Sequence, residues 1–195
     1  MNPKNRPILI FFVVWFAIAI FAGATDHIAG LRPPYPQYVL LGLTGILLIL
    51  ERVVGFLKRW VNEVDIRALV ALHLVRIAAG TTFVVLGKRG VLPLAFTEPS
   101  GWGDIGVGLI AGLLILSGGV TTARDRRLYL FWNSLGLLDL IFVVVTAGRL
   151  AMADPHAMHP LLHLPLSILP SFLVPILLAS HIWIMRRVMA AKSAE

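Results

Sequence analysis

The chain has 195 residues, enough for a single helical domain. Its apolar content is 58% and its charged content 14%, against about a quarter for soluble proteins, so its charges are too few to cover a water-soluble globule. The formal net charge of +7 is not a nucleic-acid signature, because the Lys and Arg residues flank apolar runs and no aromatic–basic interleaving accompanies them. Cysteine is absent, which excludes disulfides, thiolate metal sites and cysteine nucleophiles.

Six apolar runs follow in chain order, each long enough for a hydrocarbon layer of about 30 Å at about 1.5 Å per residue. The first is Ile8 to Ala24, preceded by Lys4 and Arg6. At 17 residues it exceeds a signal-peptide core, and it reads as an uncleaved span. Pro33, Pro34 and Pro36 end it and open the second span, Gln37 to Leu57, which Glu51 and Arg52 interrupt. Residues 58–67 read as a polar, surface-lying connector. The third span is Ala68 to Gly87 and carries His73 and Arg76. A loop over residues 88–100 leads to the fourth, Gly101 to Ala123, with Asp104 near its start. The run from Arg124 to Arg127 connects to the fifth, Leu128 to Gly148, which carries Asn133 and Asp139. A loop over residues 149–163 precedes the sixth, Leu164 to Met185, which carries His181. The runs lack the two-residue alternation of a membrane barrel. The expected fold is therefore all-α: one polytopic transmembrane helical domain over residues 1–195, in contact with the lipid bilayer.

Orientation follows from the basic residues. Lys4, Arg6, Arg52, Lys58, Arg59, Arg67, Arg124, Arg126, Arg127, Arg186, Arg187 and Lys192 fall on one side, and only Arg32, Lys88, Arg89 and Arg149 on the other. The bias places the first side, and with it both termini, in the cytoplasm, as in a multi-pass protein of a bacterial-type inner membrane. The five tryptophans mostly fall near span ends, where interfacial anchors belong. Gly108 and Gly112 form a small-xxx-small pair for close packing. Pro165, Pro170 and Pro175 predict a kinked or partly unwound sixth span whose freed carbonyls need other partners.

Polar groups within the spans are the functional pointers, because an unpaired one costs several kcal/mol in lipid. They are His73, Arg76, Asp104, Asn133, Asp139 and His181. Counting from span ends puts His73, Asn133 and His181 in one layer about 7–9 Å deep, with Arg76 and Asp139 deeper at about 14 and 18 Å, and Asp104 near the opposite mouth. Arg76 and Asp139 read structurally as a buried ion pair and functionally as a proton or ion relay of a transporter or permease-like protein. His73 and His181 read as interhelical hydrogen-bonding groups, or as axial ligands of a b-type haem in a haem- or quinone-binding redox subunit. Gly101-Trp102-Gly103-Asp104 matches the GxGD pattern of intramembrane aspartyl proteases, which share a proton between two carboxylates, and Asp139 is the available partner. In those proteases the partner precedes GxGD, whereas Asp139 follows it. No serine, cysteine or phosphate-loop arrangement nominates a nucleophile. His156, His159 and His163 in the last loop have spacing suited to a divalent metal, although Pro155 and Pro160 disturb a helix there. A homo-oligomer or a larger membrane complex is compatible with all of these readings.

The run Arg76-Ile-Ala-Ala-Gly80, then Leu92-Pro93-Leu-Ala-Phe96, Pro99-Ser-Gly-Trp-Gly-Asp-Ile-Gly-Val-Gly108, Trp132-Asn133 with Gly136 and Asp139, and Pro165 to Pro175 ending at His181 resembles a widespread group of uncharacterised bacterial multi-pass membrane proteins. The resemblance covers residues 75–181 and implies a polytopic helical fold without supplying an activity.

The orientation is checked by reporter fusions. A fluorescent protein fused after Glu195 is expected to fluoresce, and alkaline phosphatase fused after Arg89 is expected to be active. The reverse pattern inverts the topology.

Overall fold

The computed structural model describes residues 6–190. Among them there is no strand, and six helices are long and apolar enough to cross a membrane: Arg6–Ala24, Tyr35–Val53, Ile66–Lys88, Leu94–Leu116, Ala123–Ala153 and Leu169–Ala190, the first to sixth spans below. The fold class is the all-α polytopic one expected. Lys4 and Lys192, counted for orientation, lie outside the described residues. Side chains are distributed inside out for a water-soluble protein. Phe21, Leu113, Phe131 and Leu138 face outward, while Arg76, Asp104, His73 and His181 are buried. This is the arrangement a lipid solvent favours, since apolar side chains need no shelter from it and polar ones do.

The chain resolves into two compact units, residues 6–63 with Gly148–Ala179, and Val64–Ala147 with residues 180–190. In the first unit, the second span ends at Val53, short of the expected Leu57. Val54 turns extended, and 19 residues already give about 28 Å of helix. A separate nine-residue helix, Gly55–Glu63, follows; it buries Leu57 and Val61 one turn apart and exposes Lys58 and Arg59. The sixth span is irregular, as its prolines require. It opens with a π-helical turn, Leu169–Leu173, and becomes α-helical from Val174. Pro175 has no N–H, so the Ser171 carbonyl loses its i+4 donor. Trp15 Nε1 donates to that carbonyl at 3.1 Å. Trp15 therefore serves as an internal cap, not as an interfacial anchor.

In the second unit, the third span is composite: α-helix over Ile66–Ala71, a 3-10 turn over Leu72–Leu74, and α-helix over Val75–Lys88. Asp65 caps its start, accepting from the Arg67 backbone N–H at 2.8 Å and from the Arg67 guanidinium. Those hydrogen bonds hold the Asp65 carboxyl below the usual carboxylate range. The fourth span begins at Leu94, seven residues before the expected Gly101, because Pro93 supplies an extended N-cap and the helix absorbs Pro99 within its second turn. Asp104 consequently lies about 15 Å inside the helix and not at its mouth. The fifth span begins at Ala123, earlier than Leu128. Thr122 and Asp125 cap one another reciprocally, Asp125 N–H to Thr122 Oγ1 at 3.1 Å and Thr122 N–H to Asp125 Oδ2 at 2.8 Å. The charged run read as a connector is thus a first helical turn.

The third and fourth spans meet backbone to backbone. A Cβ on Gly101 would lie 2.9 Å from the Gly80 carbonyl, and one on Gly108 would lie 2.6 Å from Ile77 Cγ1 and 3.2 Å from the His73 carbonyl. Gly112 has only ordinary contact, 3.6 Å to Leu74 Cδ2, so the close-packing pair is Gly101 and Gly108, not Gly108 and Gly112. Trp132 and Trp183 are buried, contrary to their expected interfacial placing, and Trp132 Nε1 donates to the Val107 carbonyl at 3.0 Å.

Gly108→Val is expected to destabilise the protein by about 1–3 kcal/mol through overpacking, whereas Gly112→Ala stays within about 0.5 kcal/mol. Thermal unfolding of the detergent-purified variants measures both. Equal melting temperatures would remove this helix contact from the account.

Candidate functional site

The second unit gathers most of the sequence-nominated polar residues around one guanidinium. Arg76 follows the 3-10 turn of the third span and is 1% exposed. Its Nε donates to Asp104 Oδ1 of the fourth span at 2.6 Å. Its Nη2 donates to Asp139 Oδ2 of the fifth in a second ion pair. Its Nη1 donates to the Gly136 carbonyl at 3.0 Å and lies 3.5 Å from His181 Nε2. A planar, permanently charged fork suits this role, since it can address three directions at once without losing its proton.

Glycine makes the convergence possible. A Cβ on Gly103 would overlap the Asp139 carboxylate, and one on Gly136 would lie 2.7 Å from the His181 ring. The glycines of the GxGD stretch therefore clear space for Asp139 and for the approach of the third span. The structure places Asp104 and Asp139 on the same guanidinium, which corrects the expectation that Asp104 lies well above Asp139. The error came from starting the fourth span at Gly101. The arrangement also differs from a protease dyad. Both carboxylates are paired with Arg76, whereas a protease dyad joins its two carboxylates through a shared proton.

Asn133 does not join this cluster; it pairs with His181. Its Nδ2 donates to the His181 carbonyl at 3.0 Å, and its Oδ1 faces His181 Nδ1 at 2.9 Å. A backbone carbonyl only accepts, so the amide orientation is fixed and Oδ1 must accept. His181 Nδ1 therefore carries its proton, and Nε2 turns a lone pair towards Arg76. His73 Nε2 meets Ser180 Oγ at 3.0 Å, while His73 Nδ1 is buried without a hydrogen-bond partner. Ser180 was not singled out from the sequence, although it adjoins His181 on a span whose other polar residues are few.

The His73 and His181 ring centroids are 4.2 Å apart, and the Trp132 indole packs edge-on against His73 at 5.1 Å. Two imidazoles in contact leave no room for a porphyrin plane between them, and one nitrogen of each is engaged by Ser180 or Asn133. The residues do not fit axial ligation of a haem. In the first unit, His159 and His163 are in contact and His156 is not brought to them. Among the described residues no group of three or more His, Asp or Glu side chains is placed to hold a metal, so the three-histidine set expected from spacing is not assembled.

A family model described as a domain of unknown function, DUF8737, matches residues 33–189. The chain belongs to that family. Neither the curated proteins nor the solved structures contain a match to it.

Removing the buried cation while leaving both carboxylates is expected to cost about 3–5 kcal/mol in Arg76→Met, with part recovered on adding Asp104→Asn and Asp139→Asn. Asn133→Ala, which strips His181 of two bonds, is expected to cost about 1–3 kcal/mol. Melting temperatures in detergent decide. A triple variant no more stable than Arg76→Met would mean that the loss reflects packing and not charge.

Proposed function

We propose that this protein is a small inner-membrane transporter or permease-like protein of bacterial type, with both termini cytoplasmic, in which the Arg76–Asp104–Asp139 cluster is the exchanging polar site. One observation carries the reading: two carboxylates converge on one guanidinium. A single cation neutralises one of them, and lipid penalises the negative charge left over. A proton or a small cation completes the balance. Asp139 is the exchanging partner, because its side chain is 19% exposed against 6% for Asp104. Asp104 is the fixed counter-ion that holds Arg76 in place. His181, with its lone pair beside Arg76, keeps the guanidinium aimed without competing for charge.

The reading is one of function beyond stability, so its test separates the two. Purified protein is reconstituted into liposomes containing a pH-sensitive dye, and a potassium diffusion potential is imposed. Wild type is expected to pass protons, and Asp139→Asn is expected to abolish the flux while keeping its melting temperature within a few degrees. Flux that survives in Asp139→Asn, or a wild type that passes none above empty liposomes, would leave the cluster as a structural ion pair.

A further inference from the structure

We infer that the exchanging site takes a monovalent amphiphilic cation, an amine or quaternary ammonium on an apolar body, which reaches Asp139 from the lipid between the fourth and fifth spans and lays its body against Trp102. The inference rests on the reading of Asp139 as the exchanging carboxylate and names what it exchanges for a proton. Charge sets the sign and the valence. Arg76 carries one positive charge against the two negative charges of Asp104 and Asp139, so one monovalent cation balances the set. One proton leaves Asp139 as one cation arrives, and the set is neutral in both states. Position sets the route. Arg76 and Asp104 each lie about 15 Å inside their spans, at the middle of a hydrocarbon layer of about 30 Å. Asp139 is paired with Arg76 at that depth, yet its side chain is 19% exposed. Its Oδ2 receives Arg76, while Oδ1, over Gly103, accepts no hydrogen bond among the described residues. An inorganic cation would have to shed its water to reach that oxygen through lipid, whereas a cation on an apolar body dissolves there with it.

Trp102 supplies the second, independent observation. It lies about 12 Å inside the fourth span, too deep for an interfacial anchor, and is 63% exposed. On that helix Gly103 faces the Asp139 carboxylate. Gly106 is turned from Gly103 by about 60°, and Trp102 by about 100° in the same sense. A Cβ on Gly106 would meet nothing within 4 Å, so a shallow groove runs from the carboxylate past Gly106 to the indole. Leu135 and Phe142, one turn to either side of Asp139 on the fifth span, are exposed as well and give the groove apolar walls. A carboxylate with an open oxygen, an indole face and apolar walls are the groups that recognise an organic cation, and tryptophan is the best aromatic partner for one.

The test uses the full chain in nanodiscs of zwitterionic phosphatidylcholine and follows equilibrium binding of radiolabelled tetraphenylphosphonium. One saturable equivalent is expected, binding more tightly as pH rises, with up to one proton released per cation in weakly buffered solution. Asp139→Asn is expected to weaken binding by about tenfold or more, and Trp102→Ala by about tenfold. Gly106→Leu, which fills the groove and meets no neighbour, is expected to weaken it by about tenfold as well. Trp102→Ala and Gly106→Leu touch neither ion pair, so the outcome does not hang on the folding of Asp139→Asn. Tetraphenylborate, the same shape with the opposite charge, is expected not to bind. The assignment is overturned by absence of a saturable equivalent, by saturable binding of tetraphenylborate, or by unchanged affinity in both Trp102→Ala and Gly106→Leu. Asp139-dependent proton flux without saturable cation binding overturns this substrate class and leaves the proton reading standing. A disulfide-linked dimer of Trp102→Cys, with no cation bound by the wild type, assigns the face to a second copy of the chain and overturns it too.

Discussion

A guanidinium cannot shed its charge, and that constraint organises the second unit. A buried lysine or histidine could become neutral; Arg76 cannot, so every helix beside it must present an acceptor. The fourth span presents Asp104, the fifth presents Asp139 and the Gly136 carbonyl, and the last helix turns the His181 lone pair towards it. The helices can come this close only because their facing positions are glycine. Gly101 and Gly108 admit the backbone of the third span, Gly103 admits the Asp139 carboxylate, and Gly136 admits the His181 ring. The small residues and the charges are therefore one device, since a carboxylate a few ångströms further away would leave the cation unpaired in a medium that cannot solvate it.

The hydrogen bonds around this core run in one direction. The backbone carbonyl of His181 fixes the Asn133 amide, the amide fixes the His181 tautomer, and the tautomer decides that a lone pair faces Arg76. Each step removes a freedom that would cost stability or precision if left open. The same accounting governs backbone groups at the irregular places. Pro175 strips the Ser171 carbonyl of its helical donor, and Trp15 supplies another. In lipid such a carbonyl has no water to turn to, so a proline inside a span commits the sequence to a donor elsewhere.

Much of this was legible in the sequence, and what escaped did so for identifiable reasons. Six spans follow from apolar length alone, and the set of intramembrane polar residues follows from their rarity. That Arg76 and Asp139 would meet follows from the cost of isolating either. Helix ends were harder, because charged and proline-bearing stretches look like loops when counted by hydropathy. The Arg124 to Arg127 run is helical through the Thr122–Asp125 capping box, a local signal that was present in the sequence. The Leu94 start depends on Pro93 as N-cap, with Pro99 tolerated inside the helix. That single boundary displaced Asp104 by about two helical turns and hid it from Arg76. The contact between His73 and His181 could not be read from depth, since equal depth is compatible both with touching rings and with rings held apart by a ligand.

The stoichiometry of charge separates what the fold needs from what it does not. The fourth span offers Arg76 one carboxylate, Asp104, and the fifth offers both a neutral acceptor, the Gly136 carbonyl, and a second carboxylate, Asp139. It packs against a glycine at position 103, where a Cβ would overlap the carboxylate, and glycine weakens a helix by about 1 kcal/mol relative to alanine. It also brings a negative charge that one guanidinium cannot cancel. The exchange of charge proposed for Asp139 would give this second carboxylate, beside a cation whose charge never changes, its use.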